Sequence, residues 1–213
     1  MKPSAYDRRL AASGLPPAVR LSLAGAGPEL RAAERRDPGF FAGLSGLFAA
    51  AGEALGLPPE EALSGSGYLP GDATPGRLEA ALAELRAALF LRAEGFEEIK
   101  AVPRAAGRTA DLRALRAGRE YHFEVRFVGG ELGTVKRLAA KFGCKSAQVR
   151  TSLKRRGGGR GGVVFVAGLP CGAVPGPAAE LAATAAAVHS ACRRKDLHVC
   201  LIDGGRIAVA PPW

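Results

Sequence analysis

The 213-residue sequence predicts an α/β protein, a layered sandwich built around a mixed sheet. Three observations carry that prediction. Residues 76–94 place Leu78, Leu82, Leu85, Leu89 and Phe90 at helical spacing. EYHFEVRF, beginning at Glu120, alternates strictly between apolar and ionisable side chains, as a half-buried strand does. GGVVFVAG (161–168) is a short apolar run of the kind that fills a central strand covered on both faces.

Taken in order, the elements form a consistent series. Residues 28–56 read as one or two short apolar helices, PELRAAERR and then GFFAGLSGLFAAAGEALG. The stretch LSGSGYLPGDATPG (63–76) breaks any helical pattern and marks a boundary. It divides a helical extension with its linker, 1–74, from a principal domain, 75–213. The helix over 76–94 stops at Gly95, and FEEIKAV (96–102) reads as a strand. RTADLRAL (108–115), a turn around Gly118 and EYHFEVRF form a hairpin. Residues 131–156 read as helix in two pieces, broken near Gly143. After the apolar strand come an Ala-rich helix, 177–193, and a hairpin, HVCLIDGGRIAVA, turning on Gly204 and Gly205. The resulting order is helix, three strands, helix, strand, helix, two strands.

Composition narrows the function classes. Apolar types make up 47% and charged types 23%, which suits a globular chain and not a disordered one. The N-terminal residues have no apolar run of the secretory kind, and the uncharged stretches are too short or too proline-broken to span a bilayer. Cys144, Cys171, Cys192 and Cys200 then read as reduced thiols, and the expected setting is the cytoplasm, away from membranes. The formal net charge is +10, and residues 131–162 hold most of it. There Lys136, Arg137, Lys141, Lys145, Arg150, Lys154, Arg155, Arg156 and Arg160 face Glu131 alone. A solvated helix face has such a composition too, but so dense a cluster fits a phosphate-binding surface, and nucleic acid is the expected partner.

Chemistry points to the hairpin. Asp111 and Glu124 lie on adjacent antiparallel strands, so pairing can bring their carboxylates together. Two close carboxylates repel unless a cation neutralises them or one is protonated, and hard oxygen ligands suit Mg²⁺. Arg126 projects from the same strand face as Glu124.

Three segments, AELRAALFLRAEGF (83–96), TADLRA (109–114) and YHFEVRF (121–127), together resemble the PD-(D/E)xK nuclease superfamily. Within it, the chain is most similar to archaeal-type Holliday junction resolvases and restriction-endonuclease-like domains. The likeness covers about residues 76–168. It implies a restriction-endonuclease-like α/β/α sandwich, with Asp111 and Glu124 holding Mg²⁺ or Mn²⁺ and Glu84 as a further ligand or water-orienting group. It also implies hydrolysis of DNA phosphodiester bonds, with the metal polarising the phosphate and acidifying a bound water. Resolvase-like members act as dimers, so a homodimer is implied as well. The basic residues Lys136, Lys141, Lys145, Arg150, Lys154, Arg155, Arg156 and Arg160 would then hold the nucleic acid.

One position departs from the family pattern: Arg126 stands where the motif has Lys. Arg stabilises developing negative charge but cannot act as a base. Three readings stay open. Metal alone could activate the water, a lysine from the following helix could take over (Lys136 or Lys141), or the fold could serve as a catalytically silent nucleic-acid-binding or protein-interaction module.

The remaining polar candidates have ordinary structural roles as alternatives. Glu79 is the fallback helix acid if the register of Glu84 is wrong. His122 shares the face of Glu124 but reads as packed or solvated, and Gln148 reads as a surface residue. LKRRGGGRGG (153–162) resembles an RGG-type nucleic-acid tract, with a flexible connecting loop as the alternative. His189, Cys192, His198 and Cys200 match no familiar zinc spacing.

Overall fold

A computed structural model describes residues 3–72, 74–102, 110–155, 158–168, 178–192 and 196–213. Among the described residues, the chain opens with five helices before the one that leads into the sheet: α1 (Ala5–Ala11), α2 (Pro17–Ala24), α3 (Pro28–Arg36), α4 (Phe40–Leu55) and α5 (Pro59–Gly65). Helices α3 and α4 follow the sequence expectation. The other three are about two turns each, too short for apolar periodicity to declare them, and they are set by local devices. Ser4 and Asp7 form a reciprocal capping box on α1, and proline opens both α2 and α5. No single helix among the described residues is long and apolar enough to cross a membrane.

Helix α6 (Arg77–Ala93) is followed by strands β1 (Glu97–Ala101), β2 (Leu112–Arg116) and β3 (Arg119–Phe127). Then come α7 (Val135–Arg155), β4 (Arg160–Ala167), α8 (Ala178–Cys192), β5 (Leu197–Asp203) and β6 (Arg206–Ala210). The six strands lie in the sheet in chain order. Pairings β3–β4 and β4–β5 are parallel and the other three antiparallel, so the sheet is mixed, as expected.

Helices cover both faces. On one side Phe123, Val125, Val164 and Val166 pack with Leu82 and Leu85 of α6, and Leu23, Leu44 and Phe48 of the N-terminal helices belong to the same continuous core. On the other side Val163, Phe165, Val199 and Leu201 pack with Leu138, Phe142 and Val149 of α7 and Val188 of α8. Helices α7 and α8 share a face because each links two neighbouring parallel strands, and same-handed crossovers return to the same side. Arg86 ties α6 to the sheet: the residue is buried, and its guanidinium donates to the carbonyls of Ala167, Gly168 and Gly204 at 2.8 to 3.0 Å.

Two expectations need correction. Residues 131–156 do not break at Gly143; α7 runs through it as one 21-residue helix. Leu138, Phe142, Val149 and Leu153 keep a single helical phase across the glycine, and their burial outweighs its propensity cost of about 1 kcal/mol. The RGG-type reading of LKRRGGGRGG fails at Gly161 and Gly162, whose other expectation, the start of the apolar strand GGVVFVAG, holds. Gly161 and Gly162 lie buried inside β4, where a Cβ would meet the carbonyl oxygens of His122 at 2.1 Å and His198 at 2.6 Å. Their lack of side chains serves strand packing, not an approach to phosphate.

Candidate active site

Strand pairing places the central carboxylates. Leu112 pairs with Phe123, which sets Asp111, one residue earlier, across from Glu124. The Asp111 amide donates to the Phe123 carbonyl (2.9 Å), and its Oδ2 accepts from the Val125 amide (2.7 Å). Backbone bonds of β3 therefore hold Asp111 beside Glu124. Glu124 is 2% exposed and points into the layer under α7.

The third member comes from α7. Lys145 Nζ donates to Glu124 Oε1 (2.6 Å) and to Gln148 Oε1 (2.8 Å). Lys145 was expected among the phosphate-binding residues, and the lysine sought near the carboxylates was Lys136 or Lys141. The structure puts Lys145 there, one turn beyond Lys141. Gln148, expected on the surface, orients it.

These contacts set the electrostatics. Burial and the neighbouring Asp111 carboxyl push Glu124 up from an ordinary 4.5 to about 7, while Lys145 pulls in the opposite direction. Glu124 Oε2 is buried and receives no hydrogen bond among the described residues. A carboxylate pair with one oxygen lacking a donor is a donor set for a hard cation, and Mg²⁺ characteristically uses one or two carboxylates.

The remaining candidates fall elsewhere. Glu84 is buried on α6, which covers the sheet face carrying Phe123 and Val125, the face opposite Glu124. Among the described residues no three His, Cys, Asp or Glu side chains form a metal-ligand group, so Glu84 does not complete a triad with Asp111 and Glu124. Alternation along β3 explains the difference: α6 and Glu124 occupy opposite layers. Arg126 is exposed and lines an open groove with Ala140, Lys141, Cys144 and Lys145. Burial, Arg137 and Arg126 all lower the pKa of Lys141 there.

The basic residues separate by helix face. Arg137, Lys141, Lys145 and Gln148 follow one another at helical spacing and lead along the groove to Glu124. Lys136, Arg150 and Lys154 recur on a different stripe, where Arg150 pairs with Asp196 (3.4 Å). Arg155 ends the helix, Arg160 is exposed at the start of β4, and Arg156 lies outside the described residues.

His122 is 3% exposed, with Nε2 2.9 Å from Glu120 Oε1. His198 is held at Nδ1 by the Pro211 carbonyl (2.9 Å), Cys200 is fully buried in β5 and Cys192 Sγ donates to the Ala139 carbonyl.

No protein-family model and no curated protein matches this chain. Among solved structures, Pyrococcus furiosus SfsA in complex with Ca²⁺ overlaps 67% of this chain at 16% identity, with a TM-score of 0.27. The chain spans 64% of that protein's length. So loose an overlap carries no argument about function.

Proposed function

We propose that the chain is a metal-dependent nuclease of the PD-(D/E)xK type that hydrolyses phosphodiester bonds in DNA. The observation that carries this reading is the Asp111–Glu124–Lys145 cluster, two carboxylates and an ammonium gathered at the end of a basic helical stripe. Lys145 answers the departure at Arg126: the cation the family pattern puts two residues after the glutamate is supplied from α7.

Asp111 and Glu124 would hold Mg²⁺ or Mn²⁺, which when bound supplies Lewis-acid activation of the phosphate and of a water. The chain's own groups do the rest. Arg137 and Lys141 attract and align the phosphodiester backbone along the groove. Lys145, fixed between Glu124 and Gln148, places a positive charge where the phosphate becomes more negative in the transition state. Arg126, exposed on the opposite wall of the groove, adds a forked donor for a phosphate oxygen.

The competing reading, a DNA-binding protein without cleavage, draws on one feature: Lys145 already neutralises part of Glu124. Cleavage assays on linear and branched DNA, in Mg²⁺, in Mn²⁺ and in EDTA, separate the two. Wild type should cut only with the ion, and Asp111→Ala and Lys145→Ala should each cut at least about 100-fold more slowly. Tight binding by wild type without cutting in either ion would establish the silent reading.

A further inference from the structure

A second site lies where the N-terminal helices meet α6. A cleft of about 290 Å³ opens there, at the lower edge of the range of about 300–1,000 Å³ typical of small-ligand sites. Leu78 and Phe127 give it apolar walls. Glu79 also lines it and is only 7% exposed. Its carboxylate reaches the start of α3, where a Cβ on Gly27 would stand 3.5 Å from Oε1. Among the described residues Glu79 accepts no hydrogen bond and joins no ion pair.

A carboxylate facing a largely apolar cleft favours a cationic partner. Among the described residues no Lys, Arg or His lines the cleft. The start of α3 offers only the partial positive charge of a helix end, roughly half an elementary charge. The second acid at the rim, Asp72, is already engaged by the Thr74 amide (2.9 Å) and Arg77 Nε (3.4 Å). Tyr68 donates its hydroxyl proton to the Asp72 carbonyl (3.1 Å), and its oxygen is engaged by the Ser22 side chain. The cleft thus presents one carboxylate without a counter-charge among apolar walls.

We infer that this cleft binds a small organic cation, an ammonium or amidinium head on a compact apolar body, with Glu79 as its counter-ion. The head group donates to Glu79, and the apolar body packs on Leu78 and Phe127. A bare divalent metal fits poorly, because one carboxylate among apolar walls supplies too few oxygen ligands. The inference is independent of nuclease activity.

Calorimetric titration of the full chain with phenethylamine tests it, with 2-phenylethanol and phenylacetate as neutral and anionic counterparts. The amine should bind one to one and more tightly than either counterpart, and Glu79→Gln should weaken it about tenfold or more while leaving the alcohol unchanged. In parallel, wild-type amide NMR signals of Gly25, Gly27 and Phe127 should shift on adding the amine, a readout that does not depend on the variant folding. Equal amine affinity in wild type and Glu79→Gln overturns the inference. So does the absence of any shift at those amides up to about 10 mM phenethylamine and benzamidine.

Discussion

At Glu124, burial and the adjacent Asp111 carboxyl oppose ionisation, and Lys145 opposes them in turn. The net result, a rise from 4.5 to about 7, has a definite consequence for stability. A carboxyl whose pKa is raised on folding favours the native state while protonated. Its contribution is fully present below pH 4.5 and is lost as pH climbs through about 7. The size is roughly 3 kcal/mol, from about 1.4 kcal/mol per pKa unit. In metal-free buffer, the stability difference between Glu124→Gln and wild type should therefore grow in favour of the variant from pH 4.5 to 7.5, by denaturant unfolding at each pH. A pH-independent difference would show that Glu124 ionises as freely in the folded chain as in the unfolded one. Asp111 and Glu124 were legible in the sequence because a strand's period of two and a short hairpin leave little freedom in where they meet. Lys145 was not, because the side of a helix that faces a strand depends on rotation about its axis, which spacing within the strand does not report.

Helix α7 shows the same point at the scale of an element. Dividing it at Gly143 removes the phase relation between Lys141 and Lys145, so neither piece indicates which lysine reaches the carboxylates. The signal that would have restored it was present: Leu138, Phe142, Val149 and Leu153 keep one helical phase across the glycine. Gly143 is exposed, and a Cβ there would meet nothing within 4 Å. Gly143→Ala should therefore stabilise the protein by about 0.5–1 kcal/mol in chemical denaturation, with the site unchanged. Gly161 is the opposite case. A Cβ there would lie 2.1 Å from the His122 carbonyl oxygen and 2.7 Å from Val149 Cγ1, and β3, β4 and α7 have no room to part. Gly161→Ala should cost about 1–3 kcal/mol and reduce soluble yield. The tract's last two glycines are thus a packing device: the apolar run GGVVFVAG places them in a strand, and the neighbours that leave no space for a Cβ are supplied by the fold.

Across the whole molecule, the +10 charge is organised by the sheet's two layers. The layer that holds α6 and the N-terminal helices contributes most of the hydrophobic core, and the layer that holds α7 carries the concentrated cations and faces Glu124. Within α7, helix geometry separates the Arg137–Lys141–Lys145 stripe, which leads to the carboxylates, from the Lys136–Arg150–Lys154 stripe, whose middle member pairs with Asp196. If DNA lies along the first stripe, each phosphate contact there releases counterions and steepens the fall of log affinity with log salt by about 0.9. Arg137→Gln/Lys141→Gln should then weaken binding to a short duplex and flatten that slope by roughly 2. Lys136→Gln/Lys154→Gln removes the same charge from the other stripe and should change the slope by less than half as much. Fluorescence anisotropy over a salt series reads both variants directly, and their equal total charge isolates placement from net charge. Equal slopes in the two variants would mean that DNA responds to overall charge alone, and the path from basic helix to carboxylate pair would lose its support.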